Sequence, residues 1–194
     1  ILTVLISYHK NEPDSCSHQS TIPSVPPPED CPAVDVFYQY SLSWISPEQR
    51  KTKQIRRVIT PYEARCADLD RFHNHKDPSS KYHFWMKYKY PLNVHQRNNE
   101  ALLYISDALP VLLVYNDHTK NGFTPSMTFT LNHTVYFHCP SITADEWMLF
   151  EFESNKAGNG RGLTIGKIWS RSGDMIASFT QEVMVRTKGE PSKL

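Results

Sequence analysis

The sequence predicts an α+β domain in which one helix is followed by an antiparallel meander that wraps around it. Three observations carry that prediction. Arg97 to Ala108 has helical composition and stops near Pro110. Ser126 to His138 alternates apolar and polar side chains at the period of a strand. Leu163 to Arg171 and Met175 to Arg186 are strand-like runs joined by the turn residues Ser172-Gly173-Asp174.

The elements follow in order. Ile1 to Tyr8 (ILTVLISY) is a short β-branched run that reads as a buried strand. A strand needs a neighbour, and none follows quickly. Pro13 to Pro32 instead holds six prolines, including Pro26-Pro27-Pro28, so it reads as an extended linker that is neither helix nor central strand. The first strand therefore belongs to a different sheet. Val34 to Gln54 is weakly patterned. Arg56 to Arg65 and the aromatic Lys81 to Tyr90 read as strands, with polar Asp70 to Ser80 as a loop between them. Asn93 and Gln96 form a capping-box variant before the helix, which Pro110 ends or kinks. In Ser126 to His138 one row is Met127, Phe129, Leu131, Val135 and Phe137; the other is Thr128, Thr130, Asn132, Thr134 and Tyr136. Trp147 to Ser154 is a further strand, and Ala157 to Gly162 a turn.

Composition bounds the function. The 194 residues fit one domain plus an attached segment, and 9 Phe, 10 Tyr and 4 Trp offset a modest 39% apolar content. A net charge of +1 gives no support for broad nucleic-acid binding, and no apolar run approaches the ~20 residues of a membrane span. Cys16, Cys31, Cys66 and Cys139 are scattered and read as free thiols, with no paired spacing for zinc. His73 and His75 read as exposed residues, and the Asn132-His133-Thr134 sequon, inside a strand, as coincidental.

A few polar residues break the pattern. Asp107 lies three and four residues beyond Tyr104 and Leu103, so it shares an apolar stripe and is expected to face the sheet. A helix-end Asp bonded to backbone near Pro110 is the plainer alternative. Gln181 interrupts the apolar row Ala177, Phe179, Val183 and Val185; alone it fits a buried structural glutamine as well as a functional one. Thr130 by itself carries no signal. The turn Gly158-Asn159-Gly160-Arg161-Gly162 offers amides and a guanidinium to a phosphate, or is simply a hairpin turn. Ser192-Lys193-Leu194 matches the receptor-read peroxisomal address.

These residues converge on a family. Leu131 to Pro140 (LNHTVYFHCP), Asp145 to Leu149 (DEWML), Arg161-Gly162, Ala177 to Glu182 (ASFTQE), the linker around Pro26-Pro27-Pro28-Glu29 and Tyr104-Ile-Ser-Asp107 together resemble the C-terminal half of type II, TesB-like acyl-CoA thioesterases, in their peroxisomal branch. The resemblance implies the second half of a double hotdog fold. Residues 1–12 would be the last strand of an N-terminal hotdog missing from this sequence, 13–33 the linker, and 34–194 the C-terminal hotdog. It also implies a catalytic Asp, Ser/Thr and Gln, which fall on Asp107, Thr130 and Gln181. Hydrolysis of fatty acyl-CoA would proceed by direct attack of water, without cofactor or metal. Arg161 and Gly162 become candidate contacts for CoA. The implied partners are the acyl-CoA substrate, the missing N-terminal half, further copies in a homo-oligomer, and the peroxisomal import receptor through Ser192, Lys193 and Leu194. Two alternatives stay open: a non-catalytic acyl-CoA-binding or assembly module, and a hotdog enoyl-CoA hydratase, for which His133 and His138 are the available histidines.

Overall fold

The computed structural model describes residues 3–43, 45, 59–69, 72, 81–93, 97–119 and 121–187. Ile1, Leu2, His73, His75, Gln96 and Ser192-Lys193-Leu194 lie outside these described residues, as does the start of the run predicted from Arg56.

Six strands form one antiparallel sheet: β1 (Tyr62–Cys66), β2 (Lys81–Tyr88), β3 (Pro125–Phe137), β4 (Met148–Gly158), β5 (Arg161–Trp169) and β6 (Met175–Thr187). Their spatial order is β1-β2-β4-β5-β6-β3, so β1 and β3 are the edges. Among the described residues three α-helices accompany them: α1 (Val36–Ser43), α2 (Asn98–Ser106) and α3 (Pro110–Thr119). Helices α2 and α3 lie on the concave face, where Leu102, Ile105, Leu109, Leu112 and Leu113 pack on Phe84, Phe150, Phe152, Ile168 and Phe179. Each fully buried aliphatic or aromatic side chain there contributes ~1.5–3 kcal/mol. The arrangement is a hotdog: a curled antiparallel sheet around a central helix, here broken in two.

The break is at Pro110. Proline ends a helix that runs into it, but at the first position of a new helix its missing N–H costs nothing and its fixed φ is already helical. The chain uses both properties, and Val111 to Thr119 is helical where the sequence reading placed no helix. The expected cap at Asn93 is also displaced. α2 starts five residues later behind Arg97, whose φ is +32° and which supplies no side-chain cap. What holds that helix start is Asn98, whose Oδ1 accepts the Ala144 amide at 2.8 Å while its Nδ2 donates to the Asn93 carbonyl.

Two close approaches, one between helix and sheet and one between neighbouring strands, depend on glycine. A Cβ on Gly162 would come within 2.1 Å of Val114 of α3, and one on Gly166 within 2.0 Å of the Phe179 ring. Both positions need glycine for space.

The proline-rich segment is extended, as expected, and it is docked. Ile22, Val25 and Cys31 cover Trp85, Leu149 and Trp169 on the convex face of the sheet. Gln19 bonds Gly173 and Met175, Trp85 Nε1 donates to the Pro26 carbonyl at 2.9 Å, and Arg171 grips Glu29 with both guanidinium nitrogens. That pairing holds the Glu29 carboxyl below its usual range. Residues 3–8 form no strand, contrary to expectation; nothing in the described residues pairs with them, and Val4, Leu5, Ile6 and Tyr8 are exposed. The four cysteines are free thiols, and burial pushes Cys66 up to about 12.

Strand β3 turns the first part of its apolar row outward. Its row Met127, Phe129 and Leu131 is exposed, at 48%, 46% and 41%. These side chains lie on the convex face, because Thr128 and Thr130 pair with inward Val185 and Val183. A bulge between Thr130 and Asn132 then adds a residue, after which His133, Val135 and Phe137 take the inward row opposite Gln181, Phe179 and Ala177. The strand changes face midway.

Candidate active site

Three elements bring Asp107, Thr130 and Gln181 together. Asp107 is the residue that closes α2, Thr130 sits just before the β3 bulge, and Gln181 is in the middle of β6. Gln181 Nε2 donates to Asp107 Oδ1 at 2.5 Å and to Thr130 Oγ1 at 2.7 Å. Thr130 Oγ1 also donates to Asp107 Oδ1, at 3.2 Å. Gln181 is completely buried, whereas Asp107 is exposed.

Asp107 meets the sheet through Gln181 and Thr130, yet it is exposed and not buried in the helix–sheet core. The buried stripe of α2 is Ala101, Leu102, Ile105 and Ser106. Leu103, Tyr104 and Asp107 form a neighbouring stripe that lines a pocket of about 720 Å³. The apolar members of that stripe face the pocket instead of the core, which is why the sequence pattern alone suggested burial. Val36, Tyr62, Val111, Thr130 and His133 complete much of the wall. The rings of Tyr62 and Tyr104, 6.2 Å apart, close one side, and burial raises the Tyr62 phenol well above its ordinary range. The pocket is therefore mainly apolar, with the Asp107 carboxylate, the Thr130 hydroxyl and the His133 ring among its lining, as small-ligand sites generally are.

His133 was not singled out as a site residue, yet it joins this wall. Its Nε2 lies 2.9 Å from Ser106 Oγ. Burial lowers its pKa, and the charge of Asp107 and the amide of Gln181 oppose that shift.

Arg161 and Gly162 lie elsewhere. Arg161 Nη1 pairs with Glu182 at 3.0 Å, and Glu182 also accepts from Asn132. Arg161 borders a second cavity of about 360 Å³ with Val114, His118, Gly160, Val185 and Arg186. Gly162 is buried under Val114, a packing demand that by itself accounts for glycine at that position. Neither residue lines the Asp107 pocket.

Comparison with known proteins then places the chain. The family described as "Acyl-CoA thioesterase C-terminal domain" matches residues 28–185. The chain belongs to that family. Among individual relatives, acyl-coenzyme A thioesterase 8 of Mus musculus is 29% identical over 195 residues, covering 96% of this chain and 59% of that protein. Acyl-CoA thioesterase 2 of Haemophilus influenzae is 33% identical over 172 residues, covering 87% of this chain and 58% of its own length. The crystal structure of acyl-CoA thioesterase II TesB2 from Mycobacterium marinum superposes with a TM-score of 0.66 at 25% identity, over 92% of this chain and 60% of that one. A hot dog fold protein from Alicyclobacillus acidocaldarius superposes at 0.64 with 22% identity, covering 90% of this chain and 58% of that chain, and supports the fold alone. This acyl-CoA thioesterase C-terminal domain thus spans less than two thirds of the length of the relatives it matches.

Proposed function

We propose that this domain hydrolyses fatty acyl-CoA to free fatty acid and coenzyme A by direct attack of water. The observation that carries the reading is the Asp107–Gln181–Thr130 cluster, built from three distant parts of the chain at the wall of an apolar pocket. Gln181 and Thr130 both bond Oδ1 of Asp107, and no described residue bonds Oδ2, which is the oxygen offered to a water. Asp107 acts as general base or orienting carboxylate, a role typically worth ~10²–10⁴ in rate. Gln181 and Thr130 hold that carboxylate and its water in near-attack geometry. The amides of a helix's first turn have no intrahelical acceptor, and Val111, in the first turn of α3, lines the pocket. Its N–H is the candidate donor to the thioester carbonyl. Water attack is favoured over an acyl-enzyme, because Ser106, the hydroxyl that meets a histidine, is fully buried and does not line the pocket.

The wider reading concerns the whole protein. A second, N-terminal hotdog paired with this one would give residues 1–12 a sheet to join and would cover β3, whose edge and apolar row are open. The greater length of the relatives supports that arrangement. The Ser192-Lys193-Leu194 ending supports peroxisomal import where Leu194 is the carboxyl terminus. Homo-oligomerisation, and a contact of Arg161 with CoA phosphate once Glu182 releases it, belong to the same reading.

The test is a panel of saturated acyl-CoAs and enoyl-CoAs given to the full-length protein. Thiol release that depends on acyl length is expected, without hydration of the enoyl double bond. Hydration without thiol release would assign the site to the hydratase class, and ligand binding with neither reaction would make it a binding module.

A further inference from the structure

His133 occupies the site only because of the β3 bulge. It follows Thr130 by three residues, an odd spacing that in a regular strand sends two side chains to opposite faces. The inserted residue removes that conflict, so Thr130 and His133 both point inward, opposite Val183 and Gln181. A bulge that bends the ladder at this one place is thus tied to the delivery of an imidazole to the cluster.

The hydrogen-bond accounting around that imidazole is incomplete in an informative way. Among the described residues, His133 Nδ1 and Gln181 Oε1 are both buried and both without a partner. Gln181 cannot turn over to relieve its oxygen, because its Nε2 already donates to Asp107 and Thr130, and a flip would set oxygen against a carboxylate. A buried carbonyl left this way carries an uncompensated desolvation cost. His133 stands directly opposite Gln181 across the β3–β6 ladder, and its ring interacts with the Gln181 side chain. Burial keeps the ring neutral, so it carries one proton and one lone pair. On its far side Nε2 faces Ser106 Oγ at 2.9 Å, a fully buried hydroxyl. Ser106 Oγ also lies 2.8 Å from the Leu103 carbonyl, which competes for its proton. Placing the ring proton on Nδ1 and the lone pair on Nε2 satisfies both orphan atoms with a single bond and offers the Ser106 hydroxyl an acceptor in place of the Leu103 carbonyl.

We propose that His133 is a positioning residue, which as the neutral Nδ1–H tautomer donates to Gln181 Oε1 and accepts the Ser106 proton at Nε2. The bonds then run one way: Ser106 to His133, His133 to Gln181, Gln181 to Asp107 and Thr130, Thr130 to Asp107. Every donor points toward the carboxylate, and the amide that steers Asp107 is locked from behind. This rests on the water-attack reading of the Asp107 cluster, and no proton leaves or reaches the substrate through His133.

The experiment combines nitrogen-15 NMR of the imidazoles with kinetics of the full-length protein, Asp107→Asn being the control. The spectrum should show His133 as the Nδ1–H tautomer, and Ser106→Ala should shift its population toward Nε2–H. His133→Leu should lower kcat ~10–100-fold with little change in KM. His133→Asn, whose amide nitrogen falls near the position of Nδ1, should recover most of that loss. An Nε2–H tautomer in the native protein, or equal losses in the Leu and Asn variants, would overturn the proposal. So would wild-type kcat in both, provided Asp107→Asn is inactive. Turnover by Asp107→Asn at the wild-type rate would instead overturn the reading on which it rests.

Discussion

Strands β3 and β6 are neighbours of equal length, thirteen residues each, and both alternate cleanly in sequence. They bury opposite kinds of residue. In β6, paired on both sides, the apolar row Ala177, Phe179 and Val183 goes inward and one amide, Gln181, goes with it. In β3, at the edge, the residues before the bulge do the reverse: Met127, Phe129 and Leu131 go outward and Thr128 and Thr130 go inward. Alternation therefore fixes which residues share a face but not which face meets the core; position in the sheet decides that. At an edge strand beside a ligand pocket, the polar row is the one the site uses.

The sharpest way to break the contrast is to delete Leu131. Without the bulge residue, Thr130 and His133 can no longer both face inward, and hydrolysis should fall ~10²-fold or more even where circular dichroism shows a retained sheet. Activity near wild type would mean that the bulge does not shape the site. A smaller effect, on stability, comes from Gly162→Val. The added side chain meets Val114, and overpacking of this kind costs ~1–3 kcal/mol, read as a lowered denaturant midpoint. A midpoint unchanged by Gly162→Val would show that α3 can move away from β5.

Acid provides a third comparison. The His133 pKa is held below its ordinary value near 6.5, so the unfolded chain binds the proton more readily than the folded one. The stability due to this residue is full above that ordinary value and is lost as pH falls from it toward the depressed one. The Asp107 charge beside the ring reduces the effect, and Ser106, Gln181 and Phe179 add no charge. Thermal melts of wild type and His133→Asn should therefore converge as pH drops through the range below 6.5; parallel curves would contradict the buried, neutral ring. The smallest effect belongs to the outward row. Phe129→Thr should change isolated-domain stability by less than ~0.5 kcal/mol, as exposed substitutions do, while Phe179→Ala in the core should cost ~3–5 kcal/mol.

The same contrast explains what was legible in the amino-acid sequence. The strands around the turns at Asn159-Gly160 and Ser172-Gly173 could be read because period and turn chemistry agree there. α3 was missed because Pro110 signals an end and a beginning alike, and its apolar run Val111 to Tyr115 has no distinct period. Asp107 and Gln181 were visible as polar breaks in apolar rows, although only Gln181 is buried. Thr130 is an unremarkable strand threonine until a family resemblance or a neighbouring carboxylate gives it meaning. By strict alternation His133 shares the row of Met127, Phe129 and Leu131, which the structure turns outward, and only the bulge, which leaves no mark in the residue pattern at Leu131, brings it inside.

The central claim is that Asp107 and Gln181 act together on a water, and the most direct measurement is kcat for acyl-CoA hydrolysis by Asp107→Asn and Gln181→Ala in the full-length protein, with folding checked by thermal melt. Both should keep a cooperative transition and lose ~10²–10⁴ in kcat, the range of general-base catalysis. Wild-type turnover in either folded variant would contradict the account.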